Sequence, residues 1–212
     1  MTGMHLDLDC AAGRLEALID LPAGAPRAAA VLAPAPPDEA GAMRSRVLHE
    51  AARALARVGV AAVRFNYRGV GVSAGSFTGG PAEVDDVRAV LDLLSARFPA
   101  LPLWALGCSF GAWVAMTTGA GDPRVEALVG IAAPVERYDF SALLDCTKPK
   151  FLIQAERDDQ APLEAAQRFY ARLPEPRELV VIEGADHAFD GKASEVGDAI
   201  EDLLGDDRDR LF

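Results

Sequence analysis

The side chains with the clearest chemical potential are Ser109, His187 and a set of carboxylates around Asp158. Ser109 lies in Pro102-Leu103-Trp104-Ala105-Leu106-Gly107-Cys108-Ser109-Phe110-Gly111-Ala112-Trp113-Val114-Ala115, where a short apolar run meets G-C-S-F-G and an Ala-rich apolar run follows at once. That order predicts a strand, a very tight turn and a helix, with the serine at the apex of a nucleophile elbow. Gly107 and Gly111 are physically required, because strand and helix backbones pass too close there for a side chain. The same pattern occurs a second time, as Gly71-Val72-Ser73-Ala74-Gly75. No strand runs directly into that copy and no helix leaves it before Pro81, so its Gly-dense, polar surroundings read as a loop and Ser73 as the lesser candidate.

A serine hydroxyl attacks a carbonyl only when a base takes its proton. There are three histidines. His5 opens an edge strand and His49 lies within a helix. His187, in Glu183-Gly184-Ala185-Asp186-His187-Ala188-Phe189, stands just past a strand, on the side expected for the elbow. The base in turn needs an acid to hold its tautomer. Glu156, Asp158 and Asp159 follow the strand Phe151–Gln154; Asp158 is favoured because the loop then turns toward Pro162, with Asp159 next. Asp186 adjoins the base itself, and Glu136 follows the preceding strand. The order Ser109, Asp158, His187 is the serine, acid, histidine order of one triad class. Two oxyanion donors are expected: the Phe110 amide at the helix start, and one from Ala33-Pro34-Ala35-Pro36-Pro37, where proline offers no N–H and Ala35 is better placed than Ala33. Such a site works without a metal or cofactor. Its activity should fall as acid protonates His187, near pH of about 6.5 for an ordinary imidazole.

These side chains need a scaffold, and the pattern supplies strands alternating with helices. A hairpin spans residues 5–9 and 14–21. Strands are expected at 28–33, Val60–Asn66, before the elbow, and at 127–132, 151–154 and 178–182. Helices are expected from Ala42 to Val58, from Pro81 with Val87, Val90, Leu91 and Leu94 buried, after the elbow, and near 162–173 and 193–204; residues 205–212 should fray. Apolar strands without alternation imply a mostly parallel, doubly wound sheet covered by helices on both faces, with the hairpin antiparallel at one edge. The 212 residues fit one domain. A net charge of −11 without a basic stripe argues against nucleic acid. No run approaches the roughly 18 apolar residues of a membrane span. Three scattered cysteines and the absence of a signal-like start suit the cytoplasm.

With these residues in place the chain resembles the α/β-hydrolase superfamily, and within it compact, capless bacterial hydrolases related to dienelactone hydrolase. The match rests on the Ala33–Met43 loop, the block from Val63 to Phe77, the elbow, and the Asp158 and His187 loops. The resemblance implies Ser109, Asp158 and His187 as the triad, Phe110 and Ala35 as oxyanion donors, and no cofactor. One departure is that Ala33 and Ala35 stand where this group carries histidines. The stretch from Ala133 to Lys150, where larger relatives insert a cap, is short, so an open site for esters or thioesters of small acyl groups is expected. A peptidase of the same fold and a non-catalytic binding protein are the alternatives. The partner expected is a small-molecule ester, and the sequence is compatible with a homodimer.

Overall fold

The computed structural model describes residues 3–37 and 43–205. Within them β3 (Ala28–Ala33), β4 (Val60–Phe65), β5 (Leu103–Cys108) and β7 (Lys150–Ala155) are buried at every residue, which is what apolar strands covered on both faces require. They pair in parallel with β6 (Val125–Ile131) and β8 (Arg177–Ile182). The hairpin strands β1 (Met4–Cys10) and β2 (Gly13–Asp20) join antiparallel through β2 and β4, giving the order β1-β2-β4-β3-β5-β6-β7-β8. Exposed Asp7 and Asp9 mark the outer strand and discourage edge pairing.

The helices are α1 (Arg46–Arg57), α2 (Ala82–Arg97), α3 (Phe110–Gly121), α4 (Leu163–Tyr170) and α5 (Ala193–Leu204). Two apolar clusters form, one per face. Leu48, Ala51 and Leu55 of α1 and Val196, Ile200 and Leu203 of α5 pack on one side. Val87, Val90, Leu91 and Leu94 of α2, with Val114 and Met116 of α3, pack on the other. From β3 the chain moves to β4 on one side and later returns to β5 on the other. The strand order therefore reverses between β3 and β5, and a crevice opens at their carboxyl ends, where doubly wound sheets hold ligands.

Two helices are shorter than their apolar periodicity suggests. The expected start at Ala42 lies outside the described residues, and α1 begins at Arg46 because Ser45 caps it, its Oγ accepting from the Leu48 amide at 3.4 Å. Just before it, the Met43 amide donates to Asn66 and its carbonyl accepts from Arg64, so Met43 does not join the helix. α4 stops at Tyr170, where Arg172 and Leu173 turn tightly onto the carbonyls of Phe169 and Tyr170. Of the expected frayed tail, residues 206–212 lie outside the described residues.

Candidate active site

Ser109 joins β5 to α3 with φ 53° and ψ −121°, a backbone region that costs a non-glycine residue about 1–3 kcal/mol. The neighbouring structure enforces it. The Ser109 amide donates to the Ile131 carbonyl at 2.8 Å, and its carbonyl accepts from the Ala112 amide at 2.9 Å. A Cβ on Gly107 would overlap the Gly111 carbonyl oxygen, and one on Gly111 would overlap the carbonyls of Ala33 and Pro34. The second overlap has a further meaning. The backbone leaving β3, at Ala33 and Pro34, lies directly against the first turn of α3. Phe110 is the first residue of α3, so its N–H has no partner within the helix.

Three loops bring Ser109, His187 and Asp158 together. His187 Nε2 lies 3.0 Å from Ser109 Oγ. On the other side of the ring, Nδ1 lies 2.9 and 2.8 Å from the two oxygens of Asp158. An ionised carboxylate can only accept, so the proton belongs on Nδ1 and the Nε2 lone pair faces the serine hydroxyl. The Asp158 side chain is 0% exposed and that of His187 10% exposed. Asp158 is aimed by its own loop: Oδ1 also accepts from the amides of Gln160 at 2.9 Å and Ala161 at 2.7 Å, an Asx-type turn that holds the carboxylate toward the imidazole. The amide group of Gln154, at the end of β7, braces the same turn by donating to the Ala161 carbonyl.

The other candidates are engaged elsewhere. Asp159 is exposed. Asp186 accepts from the Asp190 amide at 3.0 Å, and Glu136 pairs with Arg168 on the surface at 2.7 Å. Glu156 has a supporting part that its sequence position does not reveal. It accepts from the Gly184 amide at 2.6 Å, and the Arg157 amide donates to the Ala185 carbonyl at 2.8 Å, so the acid loop and the histidine loop are stitched together. Ser73 is a fastener: its Oγ accepts from the Glu16 amide and donates to the Asn66 carbonyl, both at 2.9 Å, tying the glycine-rich loop to β2 and to the residue that follows β4.

Arg68 follows β4 and is held by Asp86 of α2 through its side chain, Nη2 to Oδ1 at 2.7 Å, and its backbone amide at 3.0 Å. The Asp86 hydrogen bond raises the Arg68 pKa further. Fully buried Glu83 gathers the end of the same loop, accepting from the Thr78 amide, Thr78 Oγ1 and the Gly80 amide, each at 2.8 Å. Beside these, Phe110 packs among Tyr67, Phe77, Trp113 and Tyr138 at ring separations of 5.4–5.7 Å, while Cys108 is a buried packing residue. Among the described residues no group of three or more His, Cys, Asp or Glu could hold a metal ion. Two clefts, about 520 and 550 Å³, lie along α2 and are lined by none of the three site residues.

A crystal structure from Xanthomonas campestris, described as an α/β serine hydrolase without a lid, is 33% identical, with 96% of this chain and 94% of that one covered and a TM-score of 0.88. The chain belongs to the α/β-hydrolase superfamily. An α/β serine hydrolase homologue from Coxiella burnetii is 32% identical over 94% of this hydrolase and 96% of its own chain, with a TM-score of 0.87. A relative from Rickettsia prowazekii, itself uncharacterized, is 37% identical over 185 residues, 83% of this chain and 77% of its own. Residues 41–144 also match the family model described as serine aminopeptidase, S33. That stretch includes Ser109 but ends before Asp158 and His187. The fold and the capless architecture agree with these neighbours: β6 and β7 are joined through residues 132–149, whose only helical element is a short turn at Ser141–Leu143. No described helix is long and apolar enough to cross a membrane.

Proposed function

We propose that this hydrolase cleaves carboxylic esters or thioesters of small acyl groups through an acyl-enzyme on Ser109. The observation that carries the reading is the unbroken chain of hydrogen bonds from Ser109 Oγ through His187 to Asp158. In the first step Ser109 Oγ bonds to the substrate carbonyl carbon while its proton passes to His187 Nε2. Asp158 stays ionised and stabilises the imidazolium. The oxyanion is received by the amides of Phe110 and Ala35, the first aided by the positive end of α3. His187 then protonates the departing alkoxide or thiolate as the carbon–heteroatom bond breaks. Water repeats the sequence on the acyl-enzyme, releasing the acid and returning the proton to Ser109.

The short connection between β6 and β7 supports substrates that need no enclosing cap. The aminopeptidase description of the matched family supports a second reading, amide cleavage by the same residues. A fluorophosphonate probe and two chromogenic substrates separate these possibilities. Labelling of wild type that disappears in Ser109→Ala, with turnover of p-nitrophenyl acetate exceeding that of alanine p-nitroanilide, is the expected result. Preference for the anilide would favour the peptidase. A native protein that resists the probe would support a non-catalytic binding role. We further propose a small-molecule rather than nucleic-acid partner, on the acidic composition, and a cytoplasmic location, on the three widely spaced cysteines.

A further inference from the structure

We infer that Gln154, the last residue but one of β7, is a positioning residue for Asp158, acting through the backbone of Ala161. Its side-chain Nε2 donates to the Ala161 carbonyl, and the amide of Ala161 donates to Asp158 Oδ1 at 2.7 Å. Asp158 in turn holds His187 Nδ1, and His187 Nε2 faces Ser109. From Gln154 to the nucleophile the contacts are hydrogen bonds, with only the Ala161 backbone between the first and the second. Ala161 can pass the grip on because its backbone has little freedom. A residue before a proline is kept out of the helical region, and Pro162 follows directly. Pro162 is itself fixed at the start of α4, where its carbonyl accepts from the amides of Ala165 and Ala166 at 3.0 and 3.1 Å. The other end of the tether is the sheet. The Ile131 carbonyl accepts from the Ser109 amide at 2.8 Å, and the Ile153 carbonyl accepts from the Ala132 amide at 2.9 Å. The ends of β5, β6 and β7 are thereby linked in succession, and Gln154 ties the acid turn to the strands that carry the serine.

Stability does not account for this amide. Gln154 is 0% exposed, and its Oε1 is buried with no hydrogen-bond partner among the described residues. An unpartnered buried acceptor is costly, and methionine, of nearly the same length, would not carry one. The amide nevertheless has one permitted orientation, because reversing it would set oxygen against the Ala161 carbonyl, acceptor against acceptor. Its neighbours Leu152, Ile153 and Ala155 are apolar, as packing alone would favour. What glutamine adds is a donor aimed at one carbonyl. The carboxylate depends on that aim. Asp158 Oδ1 accepts from the amides of Gln160 and Ala161 as well as facing His187, so a shift of the Ala161 amide turns the carboxylate and with it the imidazole. Misplacing a catalytic group by about 1 Å costs up to about a hundredfold in rate.

This role presupposes the ester-hydrolase reading, and the test separates the two. Gln154→Met removes the donor and the unpartnered oxygen together while keeping the length of the side chain. Against p-nitrophenyl acetate it should lower kcat about tenfold to a hundredfold with little change in KM. The unfolding midpoint in urea should change little, because loss of the Ala161 contact and loss of the orphaned oxygen oppose each other. A purely structural glutamine gives the reverse, a lowered midpoint with wild-type kcat per folded molecule. The effect should also depend on the acid. In an Asp158→Ala background no carboxylate is left to aim, so adding Gln154→Met should change the residual rate by less than about twofold. Wild-type kcat in folded Gln154→Met, or a rate loss of the same size in both backgrounds, overturns the positioning role alone. If Gln154→Met does not fold, Gln154→Leu is read in the same way; failure of both makes Gln154 a folding residue and overturns the role as well. A wild type inert toward the ester and toward a fluorophosphonate overturns the functional reading and this inference with it.

Discussion

Gly107–Gly111 and Gly71–Gly75 satisfy one five-residue pattern, and the molecule uses them for opposite purposes. In the first, the serine hydroxyl is held toward an imidazole at 3.0 Å by a backbone forced to positive φ. In the second, the hydroxyl is consumed by two backbone groups and has no histidine among its hydrogen-bond partners. The difference comes from what surrounds each pattern. A strand delivers Ser109 and a helix of 12 residues departs from it, so two rigid elements share one turn. Around Ser73 the chain turns through loop on both sides and borrows order from β2. The lesson is that the glycines permit a geometry and the flanking elements decide what it is for.

That contrast can be broken or sharpened experimentally. The largest effect should come from Ser109→Ala, which is expected to lower p-nitrophenyl acetate turnover by several powers of ten while the protein stays folded. Ser73→Ala should leave more than about half of that turnover and lower unfolding free energy by about 1–3 kcal/mol in urea titrations, because the Glu16 amide and Asn66 carbonyl lose their partner. Equal rate losses in both would erase the distinction. His187→Ala should match Ser109→Ala within about tenfold, since residues acting as a unit fail together. Wild-type turnover should fall on acidification as the imidazole accepts a proton at Nε2, whereas Ser109→Ala should retain its low residual rate across the same range. A contrast in stability rather than rate concerns the glycines. Gly111→Ala should prevent recovery of folded protein because the added Cβ meets backbone. Gly75→Ala, whose Cβ lies 3.1 Å from that of Ala12 at a φ of +85°, should cost only about 1–2 kcal/mol.

The sequence makes some of this legible for a physical reason. Unalternated apolar runs mark β3 through β7, and Ser109, Asp158 and His187 each stand within a few residues of a strand's carboxyl end, where one sheet brings them to one rim. The choice between Asp158 and Asp159 is less legible, because it depends on which carboxylate closes the turn onto the Gln160 and Ala161 amides. Other features are hidden by distance along the chain. Arg64 is bonded to Asp20, 44 residues away, a partner that no local pattern announces. Glu83 and Asp86 read as helix-start acids that favour the dipole, yet both are completely buried and hold the preceding loop. Periodicity reports which face a residue occupies; it is silent on what a distant loop places there.

The seam between the loops after β7 and β8 has a dynamic corollary. Glu156 with Gly184, and Arg157 with Ala185, bind the acid-bearing and imidazole-bearing segments into one unit, whereas the alcohol rides on the central sheet. Thermal fluctuation would therefore carry Asp158 and His187 away from Ser109 as a pair. Reactivity toward the probe should vanish on warming before the sheet melts, with the imidazole still facing its carboxylate.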